Sequence, residues 1–310
     1  MGSQFTSHQL PIDQFTDAGG FVHKVRIVTD SASIIKPTVA EQLDITVLPL
    51  TVRIGNDNYR DGQNLDHEEL LLRMTRDRIH PEIVGPTADD FRRTYNRLTH
   101  HSNQIISLHS SASLSPTHRE AQAAAQEFLG RCDILVMDSE TLSLGLSILV
   151  KEAAQLANAG VSLNEITRQI RGTLRRIYIV LITDTLDYLE YNRLINPTQA
   201  ILGAMLGIKP FLAIEEGKII PMEKVRSRER AIDKLAEFAN EFSEVERVAI
   251  LQSTPYPTGE TKMLQERLDV VMPDCEFPIL LYGPLLASQI GPDGMGLVVY
   301  EGTSKETLLL

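Results

Sequence analysis

The stretch His109-Ser-Ser-Ala-Ser-Leu-Ser115 gathers hydroxyls beside an imidazole. It lies between an expected strand and an expected helix, where free backbone N–H groups and the helix dipole favour an anionic head group. An ordinary Ser-rich cap satisfies the same pattern, since serine is a preferred N-cap residue. His109 and Ser110 make a poor base and nucleophile, because neighbours on an extended segment point to opposite sides. A core or surface histidine fits better. Asp30 and Asp61 are isolated acids, without the cluster of bases or metal ligands that a catalytic centre needs.

Gly85-Pro86-Thr87 reads as a turn, with Thr87 capping the helix that follows. Gly291-Pro-Asp-Gly-Met-Gly296 has the wrong glycine order for a dinucleotide fingerprint and leads into a strand rather than a helix. Such a loop either lets backbone approach a ligand or makes a tight connection. Val225-Arg-Ser-Arg-Glu-Arg230 is basic in an acidic chain and suits a solvated helix face or a docking patch for an acidic partner. No G-x-x-x-x-G-K-[ST] loop, G-x-S-x-G elbow or H-E-x-x-H helix occurs, which weakens an enzymatic reading.

The elements that would position these residues alternate. Strands are expected over 25–29, 45–52, 105–108 and 134–137, a polar turn over 55–62, and helices over 66–75, 89–100, 116–129, 144–158 and 163–175. This order implies a mostly parallel sheet with helices on both faces. From residue 178 hairpins enter: a strand over 178–182, a helical stretch over 186–206 broken at Asn196-Pro197, and two strands over 210–222 joined at Glu216-Gly217. Helices over 227–241 and 259–268 and strands over 248–252, 276–282 and 297–300 complete a mixed α/β sheet domain. The expected organisation is a flexible arm over 1–21, a first α/β domain over 22–172 and a second over 173–310, with 51–81 free to pack on either half.

Composition agrees. A chain of 310 residues exceeds the roughly 250 to 300 at which single cores stop growing. With 43% hydrophobic and 23% charged residues it is expected to fold. The net charge of -11 argues against nucleic acid or an anionic membrane as partner. Two distant cysteines, Cys132 and Cys275, suggest neither a disulfide scaffold nor a metal site, and the cytoplasm is the expected compartment. No apolar run is long enough to span a membrane.

The segments VRIVTDSAS, ITVLPLTVRIGNDNYRDG, LITDTLDYL, LGIKPFLAIEEGKIIPMEKVRSRERA and GPLLASQIGPDGMG follow one another as in the DegV family, which the chain resembles from Val25 to Tyr300. The resemblance implies a lipid-binding carrier holding a long-chain fatty acid or similar lipid in a tunnel between two domains. It implies no catalytic residue, no metal and no cofactor beyond that ligand, and a partner fatty acid kinase acting on the carboxylate. Burying such a chain contributes on the order of 10 kcal/mol before ordering costs. The implied ligand-binding positions are Thr87, Ser111, Ser113, Ser115, Arg193, Gln289 and Gly291.

Departures from the family pattern fall on the head-group residues. Its Thr-Ser-Gln-Pro-Ser loop is Ile83-Val84-Gly85-Pro86-Thr87 here, and its Ser-Ser-x-Leu-Ser-Gly-Thr loop is Ser111-Ala112-Ser113-Leu114-Ser115-Pro116-Thr117. An arginine position is taken by Leu194, with Arg193 one residue earlier, and the family histidine by Gln289, a neutral amide. Either the pocket takes a lipid with a neutral head, or Ser115, nearby N–H groups and Gln289 suffice for a carboxylate. Arg226 and Arg228 match the family's basic helix start and keep a kinase partner open. The alternatives are a small-molecule or phosphoryl-transfer enzyme using the interdomain cleft, and a domain that only binds a protein partner.

Overall fold

Residues 24–302 are described by the computed structural model, so the arm expected over 1–21 lies outside them. The first half supplies β1 (Arg26–Asp30), β2 (Ile45–Leu48), β3 (Thr51–Ile54), β4 (Asp57–Arg60), β5 (Glu82–Ile83), β6 (Gln104–His109) and β7 (Asp133–Asp138). Four of these form an all-parallel sheet in the order β2-β1-β6-β7. Its central strands are buried nearly end to end, as strands covered on both faces must be. Helices Ala88–Thr99 and Thr117–Ala125 cover one face through Phe91, Tyr95 and Ala121. Helix Ser143–Asn158 packs on β1 from the other side; ten of its sixteen residues are buried, because it also touches the second sheet.

The second half supplies β8 (Ile177–Ile182), β9 (Lys209–Glu215), β10 (Lys218–Val225), β11 (Val245–Gln252), β12 (Ile279–Leu281) and β13 (Met295–Glu301). They form a mixed sheet in the order β10-β9-β8-β13-β11-β12, with only β11 and β12 parallel. Helices Arg228–Ala239 and Gly259–Val271 cover its outer face. Its inner face shares one apolar core with the parallel sheet, in which Leu108 and Met137 belong to the same cluster as Ile179, Leu181 and Val298.

The expected α/β architecture with a parallel and a mixed sheet is observed, with local corrections. The strand expected over 45–52 is two strands in different sheets, interrupted at Pro49, which has no N–H to continue a ladder. The polar turn expected over 55–62 contains β4, an exposed hairpin strand too polar to show alternation. The helix expected over 116–129 ends at Ala125 and tightens into a 3-10 turn, and the strand expected over 276–282 shortens to β12 after Pro278. Segment 51–81 contacts both halves: Asp61 accepts from Ser31, while Tyr188 Oη donates to the Ile79 carbonyl at 2.8 Å. Helices Pro37–Leu43 and Pro284–Ile290 were not foreseen; all seven residues of the latter are buried, so it has no polar face to reveal a helical period.

Candidate functional site

β1 leads to β2 on one side of the sheet, whereas the chain returns at β6 on the other. Open α/β sheets form ligand crevices at such reversals, beyond the carboxyl ends of the strands. Here that crevice is filled. Asp30 ends β1 and caps a 3-10 turn by accepting from Ala32 N at 3.0 Å, and its other oxygen accepts from Ser110 N at 2.9 Å and meets His109 Nδ1 at 3.1 Å. Tyr95 Oη donates to Ser107 Oγ at 2.7 Å, and Ser107 lies 2.6 Å from His109 Nε2. One proton arrangement satisfies the whole chain: tyrosine to serine, serine to Nε2, and Nδ1–H to Asp30. His109 is therefore the core histidine of the two expected alternatives.

The hydroxyl-rich loop is likewise engaged. The N–H groups of Ser110, Ala112 and Ser113 donate to Asp30, Asp138 and Ser111 Oγ. Those of Ser111, Leu114 and Ser115 donate to the carbonyls of Thr141 and Ser111. The free amides expected over 110–115 are thus already spent, because the loop folds back on itself and on the end of β7. Ser111 Oγ donates to the Gly217 carbonyl at 2.6 Å, fastening this loop to the β9–β10 turn. Gly217 lies in the left-handed region at φ 76°, and a Cβ there would stand 2.5 Å from Ser111 Oγ, so only glycine fits. Ser115 Oγ is 2.7 Å from Thr117 Oγ1, and Ser113 is exposed.

Beyond Ser111, between β7 and the mixed sheet, opens a cavity of about 600 Å³, within the usual range for ligand sites. Leu108 and Met137 line it from the parallel sheet, Leu149 and Ile170 from helices, and Ile179 and Ile214 from the mixed sheet. Its polar lining comprises Asp138, Ser139, Glu140 and Thr141 at and beyond the end of β7, Glu215 and Glu216 at and beyond the end of β9, and Arg171 and Arg175 one helical turn apart. Among the described residues neither arginine makes an ion pair, although ion pairs are frequent elsewhere on the surface. Thr141 Oγ1 is buried without a hydrogen-bond partner. The sequence reading singled out none of Thr141, Arg171 and Arg175 as a site residue.

The remaining sequence-derived positions lie elsewhere. Thr87 forms a capping box, accepting from Asp90 N at 3.2 Å while its own hydroxyl donates to the Asp90 carboxylate at 2.8 Å. Burial works to raise the Asp90 carboxyl, but the Thr87 donors and the Arg60 charge hold it below the usual range. Arg193 is exposed in the turn after helix Asp187–Tyr191. Gln289 sits buried on helix Pro284–Ile290, its Nε2 donating to Ser288 Oγ at 3.3 Å. Gly291 ends that helix at φ 85°, where a Cβ would lie 2.6 Å from the Tyr188 ring. The structure thus brings Ser111, Ser113 and Ser115 into one loop and Gln289 and Gly291 to one helix end, and leaves Thr87 and Arg193 on the surface. Within the basic stretch, Arg226 is exposed, whereas Arg228 pairs with Glu260 at 3.0 Å and Asp184 at 3.6 Å.

A second polar chain joins the halves. Ser31 Oγ donates to Asp61 at 2.5 Å, and the other Asp61 oxygen holds His67 Nε2 at 2.6 Å. Burial works to lower the His67 pKa, but the bond to Asp61 and the charges of Asp61 and Asp66 outweigh it, and the net shift is upward. The imidazole lies against Gly283, the residue before the Gln289 helix.

Among the described residues no helix is long and apolar enough to cross a membrane, and no group of His, Cys, Asp and Glu is arranged to hold a metal ion. A family model described as an uncharacterised protein of the DegV family matches residues 24–302. A DegV domain-containing protein of Deinococcus radiodurans is 35% identical over 222 residues, covering 70% of this chain and 77% of its own. Another from Streptomyces coelicolor is 31% identical over 282 residues, covering 89% and 98%. Among solved structures, a DegV family protein from Thermus thermophilus described as binding fatty acid superposes with a TM-score of 0.77 at 27% identity, covering 90% of this chain and all of its own (100%). A Streptococcus agalactiae DegV family protein shares the fold with a TM-score of 0.80 at 22% identity, over 91% and 100% of the two chains.

Proposed function

Because the chain belongs to the DegV family, we propose that it is a lipid carrier, which buries the acyl chain of a long-chain fatty acid or similar lipid and performs no reaction itself. The observation that carries this reading is the cavity of about 600 Å³ between β7 and the mixed sheet, apolar along its walls and polar where Asp138, Thr141, Arg171 and Glu216 meet it. The fatty-acid-binding protein from Thermus thermophilus, alike in fold and 27% identical, supports it. Transfer of an apolar chain into such a space contributes about 0.8 kcal/mol per methylene, enough to dominate affinity.

In this proposal the two domains meet near residues 172–173, just before β8. The 110–117 loop adjoins the cavity through the bond of Ser111 N–H to the Thr141 carbonyl, and on this reading it turns Ser111, Ser113 and Ser115, which are not among the lining residues, toward the head group on binding. Gln289 and Gly291, on the helix that packs on β5, are assigned to the ligand by the family resemblance and lie outside the lining of this cavity. Thr87 and Arg193, on the surface, meet the head group as it enters or leaves. The compartment is the cytoplasm, and a kinase acting on a carboxylate head would dock at the exposed Arg226. An enzymatic use of the β1–β6 crevice finds no support, because Asp30 and His109 are fully buried and hydrogen-bonded to each other.

The test is mass spectrometry of small molecules released by denaturing freshly purified protein, comparing wild type with Leu135→Trp, which fills the cavity. The expected result is near-stoichiometric long-chain lipid in the wild type and at least about 10-fold less in the variant, the equivalent of two or so methylenes of lost burial. A wild type that carries no acyl lipid and binds none when offered would overturn the reading.

A further inference from the structure

The parallel sheet ends at β7 on one side and at β2 on the other, and the β2 end borders a groove of about 750 Å³. Ile34, Ile45 and Val47 wall this groove from the first half of the chain, and Ile279, Leu280 and Leu281 of β12 from the second. The polar chain of Ser31, Asp61 and His67 reaches the lining but is already paired within itself, and Leu50 N donates to Ser31 Oγ at 2.9 Å as well. Ile34 stands in the left-handed region at φ 48°, a strained choice for a β-branched side chain. Strain kept in a groove wall marks a place where the side chain itself is wanted, because Asn or Gly would relax the turn and remove the apolar surface.

The backbone of β12 says what the groove suits. Side chains alternate along a strand, so three consecutive lining residues mean that β12 turns its edge, not one face, toward the groove. Ile250 N donates to the Pro278 carbonyl at 3.0 Å and Tyr282 N to the Gln252 carbonyl at 3.2 Å, so residues 278, 280 and 282 are those that bond toward β11. The N–H and C=O groups of Ile279 and Leu281 therefore point the other way, where β12 has no neighbouring strand. On the rim, Lys36 and Glu41 are exposed, and among the described residues neither makes an ion pair. They lie about 7.5 Å apart along helix Pro37–Leu43, close to the roughly 6.8 Å between alternate residues of a strand. We propose that this groove docks an extended segment of a partner protein, which adds to β12 as a seventh strand of the mixed sheet and sets an acidic and a basic side chain, two residues apart, against Lys36 and Glu41. A lipid tail would leave the outward N–H and C=O groups unmatched, whereas a peptide strand matches both. The proposal is independent of the lipid-carrier reading, which concerns the cavity at the β7 edge.

The test selects random octapeptides displayed on phage against the full-length protein, then measures the selected peptides by fluorescence polarisation and amide exchange. Enriched peptides are expected to alternate apolar residues with an acid and a base two positions apart, and to slow exchange of the Ile279 and Leu281 amides about 10-fold or more. Leu281→Pro removes an outward N–H without touching the bonds to β11 and is expected to weaken the peptides about 10-fold. Lys36→Glu combined with Glu41→Lys is expected to weaken them about 3-fold and to recover affinity for peptides with the acid and base exchanged. Ile34→Asn is expected to unfold at higher urea yet bind the peptides less well. Failure to enrich any such peptide overturns the proposal, as does equal binding by wild type, Leu281→Pro and the charge-exchanged variant. Ile279 and Leu281 amides that exchange as slowly as Leu280 in peptide-free protein also overturn it, because the chain itself would then cover the edge.

Discussion

Two regions at the carboxyl end of one parallel sheet invite comparison: the crevice between β1 and β6, and the cavity beyond β7. By topology the crevice is the favoured ligand position. By hydrogen bonding its carboxylate and imidazole are finished, since Asp30, His109, Ser107 and Tyr95 pair in one chain in which each of these four side chains is engaged. The cavity holds the reverse: apolar walls and two arginines, Arg171 and Arg175, that make no ion pair among the described residues. Topology says where a site is possible; the accounting of donors and acceptors says which of two possible places has been left open. The resulting distinction is testable, because mutations in the crevice should cost stability and mutations in the cavity should cost affinity.

The largest effect is expected from Asp30→Ala. It strands the N–H groups of Ala32 and Ser110 and the His109 ring in a fully buried setting, each worth roughly 1 to 3 kcal/mol, so urea unfolding should show a loss of at least about 3 kcal/mol. A loss below about 1 kcal/mol would show the crevice open to water and end the contrast with the cavity. Ser111→Ala comes next. Removing its bond to Gly217 unfastens the loop from the β9–β10 turn and should cost about 2 kcal/mol, with faster amide exchange at that turn.

The second polar chain gives a pH-dependent prediction. The folded His67 pKa is raised, so the stabilisation from its pairing with Asp61 is fully present below about pH 6.5, the unfolded value, and is lost as pH rises through the folded pKa. His67→Gln should therefore be less stable than wild type by about 1.5 kcal/mol near pH 5.5, with the gap narrowing toward pH 8.5. A gap that is constant across that range would assign His67 to packing against Gly283 rather than to the ion pair.

How far these features could be read from sequence depends on how local they are. β1 and β6 announced themselves as short β-branched runs, and Thr87 as a cap, because strand burial and capping involve residues a few positions apart. Helix Pro284–Ile290, which carries Gln289, was hidden because a wholly buried helix has no polar stripe. The 110–115 loop was correctly located between strand and helix, yet its amides looked free: the acceptors of Ser110, Ser111 and Ala112, which are Asp30, Thr141 and Asp138, lie about 25 to 80 residues away, and Ser113, Leu114 and Ser115 find Ser111 only once the loop folds back. The cavity was invisible for the same reason: Leu108, Leu149 and Ile214 are placed side by side only by the packing of two sheets.

The smallest expected effect compares two threonines. Thr87 Oγ both accepts from Asp90 N and donates to the Asp90 carboxylate, so its hydroxyl is fully used in ending one helix. Thr87→Ala should cost about 1 kcal/mol in urea unfolding, and Thr87→Ser should restore it, because serine caps at least as well. Thr141→Val is expected to cost nothing in the same assay, although Thr141 is the more buried of the two. If burial governed the outcome, the order would reverse; if hydrogen-bond satisfaction governs it, the exposed threonine is the structural one. Measuring palmitate affinity in the same variants completes the contrast, since a drop in Thr87→Ala that Thr87→Ser reverses would show that the cap also meets the ligand.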